Sequence, residues 1–266
     1  MNRSVHVLSG LLIALAACGD DGTTAATDAG TDAPQIPDAP PDAPPVKPEG
    51  QVVIMEGRFP APLSIAVATF VNGAILPSLG TVNGCTLHGS DPTASLDAGS
   101  ITIAGATTPL TLVRDTAADI YMTADEPPED LFAPAAQLTV TATGATIPAF
   151  TGSVTAPAPL AGVVFPTAIS RAAPPTITWT AGTANEVWIF MIAYVGANTG
   201  TVMVCRTTDT GSFGITPAAF AQLPVAASEA VISVYRLNKT VVNAGAWEVS
   251  LLAIDAIRDD EVPIGP

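Results

Sequence analysis

Six carboxylates crowd one stretch of this 266-residue chain: Asp115, Asp119, Asp125, Glu126, Glu129 and Asp130 fall within 16 residues, broken by Pro127 and Pro128. Two chemistries use such groups. A calcium site needs six to eight oxygens converging on one point, and loops between strands can supply them. A glycoside hydrolase needs two carboxyls at a set separation, one with a raised pKa. Neither arrangement follows from a run of acids, so the expected state of this segment is a solvated acidic loop. A carbohydrate- or peptidoglycan-acting hydrolase using acids within Asp115–Asp130 is the alternative reading of the chain. Arg258–Glu261 reads similarly, as an exposed charged tail.

Other catalytic groups are scarce. The chain has two histidines, His6 and His88. His6 lies in an N-terminal segment expected to be removed, and one histidine cannot build a histidine-based metal cluster. A Ser-His-Asp triad would have to use His88, in the turn-like Leu87-His88-Gly89-Ser90-Asp91. No G-x-S-x-G elbow, H-E-x-x-H, P-loop or G-x-G-x-x-G accompanies it. His88 is expected at the surface, and no catalytic residue, metal ligand or cofactor is assigned. Aromatics make up only 5% of the chain, against the stacking platforms that sugar binding uses, and Trp179, Trp188 and Trp247 fall in expected core strands.

The cysteines are Cys18, Cys85 and Cys205, none in a C-x-x-C pair, which leaves zinc and thioredoxin-like redox chemistry without support. Cys85 and Cys205 are a candidate disulfide, because exported proteins tend to pair their cysteines. Each also falls in or beside an expected strand, where a free thiol is a comfortable small hydrophobe. The reading leans slightly towards two buried thiols.

The formal net charge is −15, from 9 Lys+Arg against 24 Asp+Glu. Such a surface repels phosphate backbones, so nucleic acid is not an expected partner. Hydrophobic residues are 48% of the chain, ample for a core, and the Val, Ile, Thr, Gly and Pro content favours strands and turns.

The amino terminus carries the most specific motif. Arg3 is followed by an apolar run, Val7–Ala17, too short to span a bilayer but suited to a signal peptide. It ends in Leu15-Ala16-Ala17-Cys18. Here the chain resembles bacterial lipoproteins, whose lipobox is a leucine, two small residues and a cysteine. The resemblance implies cleavage before Cys18, a diacylglyceryl group on its sulfur and an acylated amine, hence a membrane anchor. The alternative is an ordinary signal peptide cut after Ala14-Leu15-Ala16. Asp20 stands one place beyond the position that holds lipoproteins in the inner membrane of enteric bacteria, so the resemblance implies the outer membrane.

Residues 19–49 hold seven prolines, seven acids and one lysine. They cannot bury a core and are expected to be a disordered tether. Pro37–Pro45 repeats Asp-Ala-Pro-Pro and favours polyproline II; in that form the segment would reach roughly 90 Å.

From Gly50 the pattern changes to short strands. Those expected first are Gln51–Phe59, Ser64–Val71, Thr81–Leu87, Ser100–Ala104, Leu110–Arg114, Ile120–Thr123, Gln137–Ala142 and Ala149–Val154. Asn72-Gly73 and Asn83-Gly84 are tight-turn signals, and Ala156–Pro159 reads as a boundary. Beyond it come Thr176–Thr180, Val187–Val195, Thr201–Arg206, Ser212–Thr216, Ala230–Leu237 and Trp247–Ile254. Gly196–Gly200 makes a hairpin and Pro217–Leu223 a helical turn or two. Val187–Tyr194 is apolar on both faces, which predicts a strand covered on each side. This second part resembles an immunoglobulin-like sandwich at the level of fold, with Trp179 as a core residue but without the flanking cysteine spacing. A faint echo links Cys85 and the run Ser95–Ile103 to Cys205 and the run Thr208–Ile215. Two related sandwiches or chance account for it equally well. Asn238-Lys239-Thr240 matches a glycosylation sequon, taken as chance here.

The expected organisation is a signal peptide at 1–17, a lipidated Cys18 and tether at 18–49, a β-sandwich at 50–158 and an immunoglobulin-like β-sandwich at 159–266. The fold class is all-β, with one or two sandwiches. The expected function is a non-enzymatic envelope lipoprotein that binds an unidentified protein or envelope partner or has a structural role, through strand edges or loops.

Overall fold

Alternating side chains and tight turns dominate the chain, and the structure follows them. A computed structural model describes residues 47–59, 61–89, 95–195, 199–258 and 261–265. The expected signal segment, Cys18 and the expected tether up to Val46 lie outside the described residues, as do 196–198 of the expected hairpin and 259–260 of the expected tail.

The fold is all-β. In chain order the strands are β1 (Glu49–Arg58), β2 (Pro62–Val71), β3 (Ser78–Val82), β4 (Cys85–His88), β5 (Ile101–Ala104), β6 (Leu110–Asp115), β7 (Ile120–Thr123), β8 (Gln137–Ala142) and β9 (Phe150–Thr155). They continue with β10 (Ile169–Ser170), β11 (Thr176–Thr178), β12 (Glu186–Val195), β13 (Thr199–Thr207), β14 (Ser212–Gly214), β15 (Glu229–Ala244), β16 (Trp247–Arg258) and β17 (Val262–Gly265). One helical turn, α1 (Pro217–Phe220), has Pro at its start and Thr216 Oγ1 accepting the Ala219 N–H at 3.2 Å.

A single large mixed sheet runs β3-β4-β13-β12-β15-β16-β1-β2-β7-β6-β5-β8-β9. Its neighbours are antiparallel except β1 and β16, which lie parallel with Ile54 opposite Ala253. The expected boundary at 158/159 falls between β9 and β10. Across it, β4 pairs with β13 and β1 with β16, so hydrogen bonding is continuous from one part to the other.

Faces follow from the registers. On one face of the long strands, Val52, Ile54, Leu251 and Ala253 join β2 and β5–β9 in a core with Phe70, Ile101, Leu112, Leu138 and Val140. On the same face, further along β15, lies a second core of Ile189, Met191, Met203, Cys205, Ile232 and Val234, covered by Leu160, Trp179 and Phe220. The opposite face carries a third cluster, Met55, Trp188, Tyr235, Leu237, Leu252 and Ile254. The two-faced apolar pattern of Val187–Tyr194 is thus met: its odd residues enter the second core, while Trp188 and Phe190 join the third cluster.

Asn83-Gly84 resolves an ambiguity in the sequence. Both residues take positive φ, 50° and 79°, the geometry of a two-residue hairpin turn, and Val82 pairs with Cys85. The expected strand Thr81–Leu87 is therefore two strands. β15 runs on to Ala244, past Asn238-Lys239-Thr240. These polar residues stay in the strand because the Asn238 amide is satisfied there, donating to Thr155 O at 3.0 Å and accepting from Asn185 N at 2.9 Å.

β9 returns against β15 and β16, and Gly152 allows the approach. A Cβ there would stand 2.4 Å from Val242 Cγ1 and 2.9 Å from Leu251 Cδ1. Gly152→Val is expected to force these strands apart at a cost of about 1–3 kcal/mol. Urea denaturation checks this; an unchanged midpoint would show that β9 does not press on β15.

Candidate functional site

Three groups of side chains could do chemistry: the cysteine pair, a row of buried charges across the sheet, and the acidic run.

Cys85 opens β4 directly after the hairpin turn and sits in register with Cys205 on β13. The two form a disulfide, S–S 2.04 Å, Cα–Cα 3.9 Å, 120 residues apart in sequence. This corrects the lean towards two free thiols. They do not occupy equivalent points of separate sandwiches; antiparallel pairing brings them face to face at the rim of the second core. The bridge fastens the edge hairpin β3–β4 to the sheet.

Between the first two cores, the face they share carries a polar row: Arg236 on β15, Asp255 on β16, Glu56 on β1 and Ser64 on β2, each opposite the next. Arg236 and Asp209 are almost wholly buried, with Arg236 Nε 2.9 Å from Asp209 Oδ2 and a second contact from Nη2 to Oδ1 at 3.1 Å. The Nη2 contact is a charge-assisted hydrogen bond, and the Nε contact is an ion pair by distance. Arg236 also donates to the carbonyls of Pro159 and Thr180. Asp209 accepts from Trp179 Nε1 at 2.8 Å and Ala184 N at 3.3 Å.

Asp255 is fully buried. Its Oδ1 accepts from Arg58 Nη2 at 2.7 Å and Leu160 N at 2.8 Å, while Arg58 Nη2 also reaches Leu160 O at 2.7 Å. Both backbone groups of Leu160 are thus satisfied by one Arg–Asp pair. Burial pushes the Asp255 carboxyl above its ordinary range, although the Leu160 N–H and the Arg58 guanidinium pull the other way. Glu56 Oε2 accepts from Leu131 N at 3.1 Å and Phe132 N at 3.5 Å. Burial raises this carboxyl, the two amides oppose the rise, and the charges of Asp255 and Asp130 add to it. Ser64 Oγ donates to Glu129 O at 2.6 Å. The row therefore holds three chain segments on the sheet, at 129–132, 159–160 and 179–184.

The acidic run does not come together. Asp115 ends β6 and accepts from its own turn, Ala117 N at 2.8 Å and Ala118 N at 3.2 Å. Asp119 Oδ1 lies 3.5 Å from Arg114 Nη2. Asp125, Glu126, Glu129 and Asp130 are exposed. The segment is anchored by the backbone carbonyls of Glu129 and Asp130, which accept from Ser64 Oγ and Thr107 Oγ1. Among the described residues no three His, Cys, Asp or Glu side chains are placed to hold a metal ion.

His88 corrects another expectation. It is not at the surface: it ends β4 buried, with Nδ1 3.1 Å from Leu76 O, and burial lowers its pKa. Its would-be triad neighbours Ser90 and Asp91 lie outside the described residues.

Sequence reasoning missed Glu56, Arg58, Asp209, Arg236 and Asp255. A signal was available for three of them. Glu56, Arg236 and Asp255 are charges set inside apolar strand runs, VVIME, VYRLN and AIDAI, and a charge there must find a partner. A cavity of about 370 Å³ was also missed; Thr155, Pro157, Asn185, Asn238 and Thr240 are among the residues that line it.

These features define an all-β protein whose two apolar cores share long strands and meet at a buried charge row. No known protein-family model and no curated protein matches the chain.

Proposed function

We propose that the chain is an exported lipoprotein, anchored by lipid on Cys18 to the cell envelope, with the outer membrane as its site. Its all-β body serves binding or envelope structure rather than catalysis. The observation that carries this reading is Leu15-Ala16-Ala17-Cys18 closing the apolar run Val7–Ala17. A buried disulfide between the two remaining cysteines supports it, since such bonds persist in oxidising compartments. Pro/Asp/Ala-rich residues up to Val46 supply the spacer between anchor and body. For binding, β3 offers an edge: among the described residues it pairs only with β4, and its Leu79 is 69% exposed. Strand addition to such an edge is a common mode of recognition. Cys18→Ser is expected to abolish fatty-acid labelling and release the protein from the membrane fraction. Undiminished labelling would sink the reading.

A further inference from the structure

Two buried atoms of the polar row, Arg236 Nε and Asp255 Oδ2, have no hydrogen-bond partner among the described residues, and Arg236 Nε still has the Asp209 carboxylate 2.9 Å away. Asp255 Oδ2 is buried and has no hydrogen-bond partner, although Oδ1 of the same carboxyl has two. A buried acceptor left without a donor costs about 1–3 kcal/mol, more when charged. Directly opposite Asp255, on the adjacent parallel strand, stands Glu56, its side chain on the same face. Neighbouring strands lie about 4.8 Å apart, so the two carboxyls are close neighbours.

The surroundings of the pair are unequal. Asp255 faces two guanidiniums, Arg58 on β1 and Arg236 on β15, plus the Leu160 amide. Arg236 is itself committed to Asp209. Glu56 faces the Leu131 and Phe132 amides, the Ser64 hydroxyl across β2 and the charge of Asp130, and no ion pair among the described residues involves it. Of the two, Glu56 is the carboxyl with least to lose on taking up a proton, and a protonated Glu56 supplies the donor that Asp255 Oδ2 lacks.

We propose that Glu56 and Asp255 form a proton-binding pair, with the proton on Glu56, that stabilises the fold across the β1–β16 seam as the medium turns acidic. The proton is taken from solvent, its O–H serves Asp255 Oδ2, and Glu56 Oε2 keeps both backbone amides. Burial raises the Glu56 carboxyl, and the sign follows. A carboxyl bound more strongly to its proton in the folded state adds stability that is full below its unfolded pKa, about 4.3 for glutamate. That stability is lost as pH rises through the higher folded value. His88 works in the opposite sense, because burial lowers its pKa and charging it in acid opposes folding. The pair must therefore be read from a difference between variants.

The test uses the full chain, with urea midpoints measured from pH 4 to pH 8 in wild type and Glu56→Gln. The glutamine amide imitates the protonated acid at every pH. The midpoint of Glu56→Gln minus wild type is expected to be near zero in acid and to grow towards neutral pH. A titration of the Glu56 carboxyl carbon by NMR is expected to show a midpoint above the ordinary glutamate value, and one that falls in Asp255→Asn. A midpoint difference constant with pH, or a Glu56 titration at or below the ordinary value, overturns the proposal. Should Glu56→Gln fail to fold, the NMR titration in wild type and Asp255→Asn decides alone.

Discussion

Arg236→Ala is expected to be among the most damaging single changes to the described structure, at about 3–5 kcal/mol, because it leaves the Asp209 carboxylate buried without its partner. The geometry fixes the reason. Arg236 and Asp209 side chains are 3% and 2% exposed, so water cannot replace the lost contacts. The same change strips donors from the carbonyls of Pro159 and Thr180. Asp209→Ala should cost a similar amount, since it orphans the guanidinium and the Trp179 indole N–H together. The double variant should recover part of the loss, because no uncompensated charge then remains. Denaturation by urea across the four proteins measures this. Strict additivity of the two single losses would overturn the assignment of a coupled pair.

Reduction of the Cys85–Cys205 bond, or Cys85→Ser with Cys205→Ser, is expected to destabilise the protein by about 4–5 kcal/mol on the chain-entropy account. The size follows from the 120-residue separation the bridge closes. Native contacts should be lost first at the β3–β4 hairpin. Its strands are only five and four residues long, and what remains to hold it is the β4–β13 ladder, the bond that Asn83 Nδ2 donates to Thr216 Oγ1 and the packing of Val82 and Leu87 on the second core. Denaturation with and without reductant gives the magnitude, and hydrogen exchange in β3 and β4 gives the location. Equal stability in both redox states, with unchanged protection of Thr81 and Thr86, would contradict it.

Both results bear on how the chain is put together. The first tests what holds the crossing segments to the sheet at the join between two apolar cores. The second tests what holds its edge. If the binding role proposed for the β3 edge is right, the disulfide is also what presents that edge, and reduction should lower any strand-addition affinity along with stability.

Much of this was legible without coordinates. Alternation read out β5, β6 and β8 because each has one buried face, and in β8 Leu138, Val140 and Ala142 are buried while Gln137 is exposed. Apolar residues on both faces marked β12 as internal, because only a strand covered on each side tolerates that composition. Asn-Gly marked the β3–β4 turn because that pair accepts positive φ at little cost. The ends of β15 and β16 were not legible. Asn238 and Asp255 look like strand breakers in the sequence, and they stay in strands because partners distant in the chain, Thr155 and Arg58, satisfy them.

By itself the sequence determined the all-β class, the order of most strands, the lipobox-like run Leu15-Ala16-Ala17-Cys18 and the excess of acid. These rest on local properties: side-chain period, turn chemistry, and a motif read within four residues. Tertiary structure decided the rest. Only the sheet order brings Cys85 beside Cys205, sets Glu56 opposite Asp255, and buries His88, because those neighbours are separated by 120 residues or more of chain or, for His88, by the placement of a whole hairpin. The acidic run shows the converse. Six carboxylates close in sequence bring no three together as a metal-holding group among the described residues, since Asp115 is tied to its own turn and the four in the proline-broken loop are exposed, and charges of one sign gain nothing by meeting.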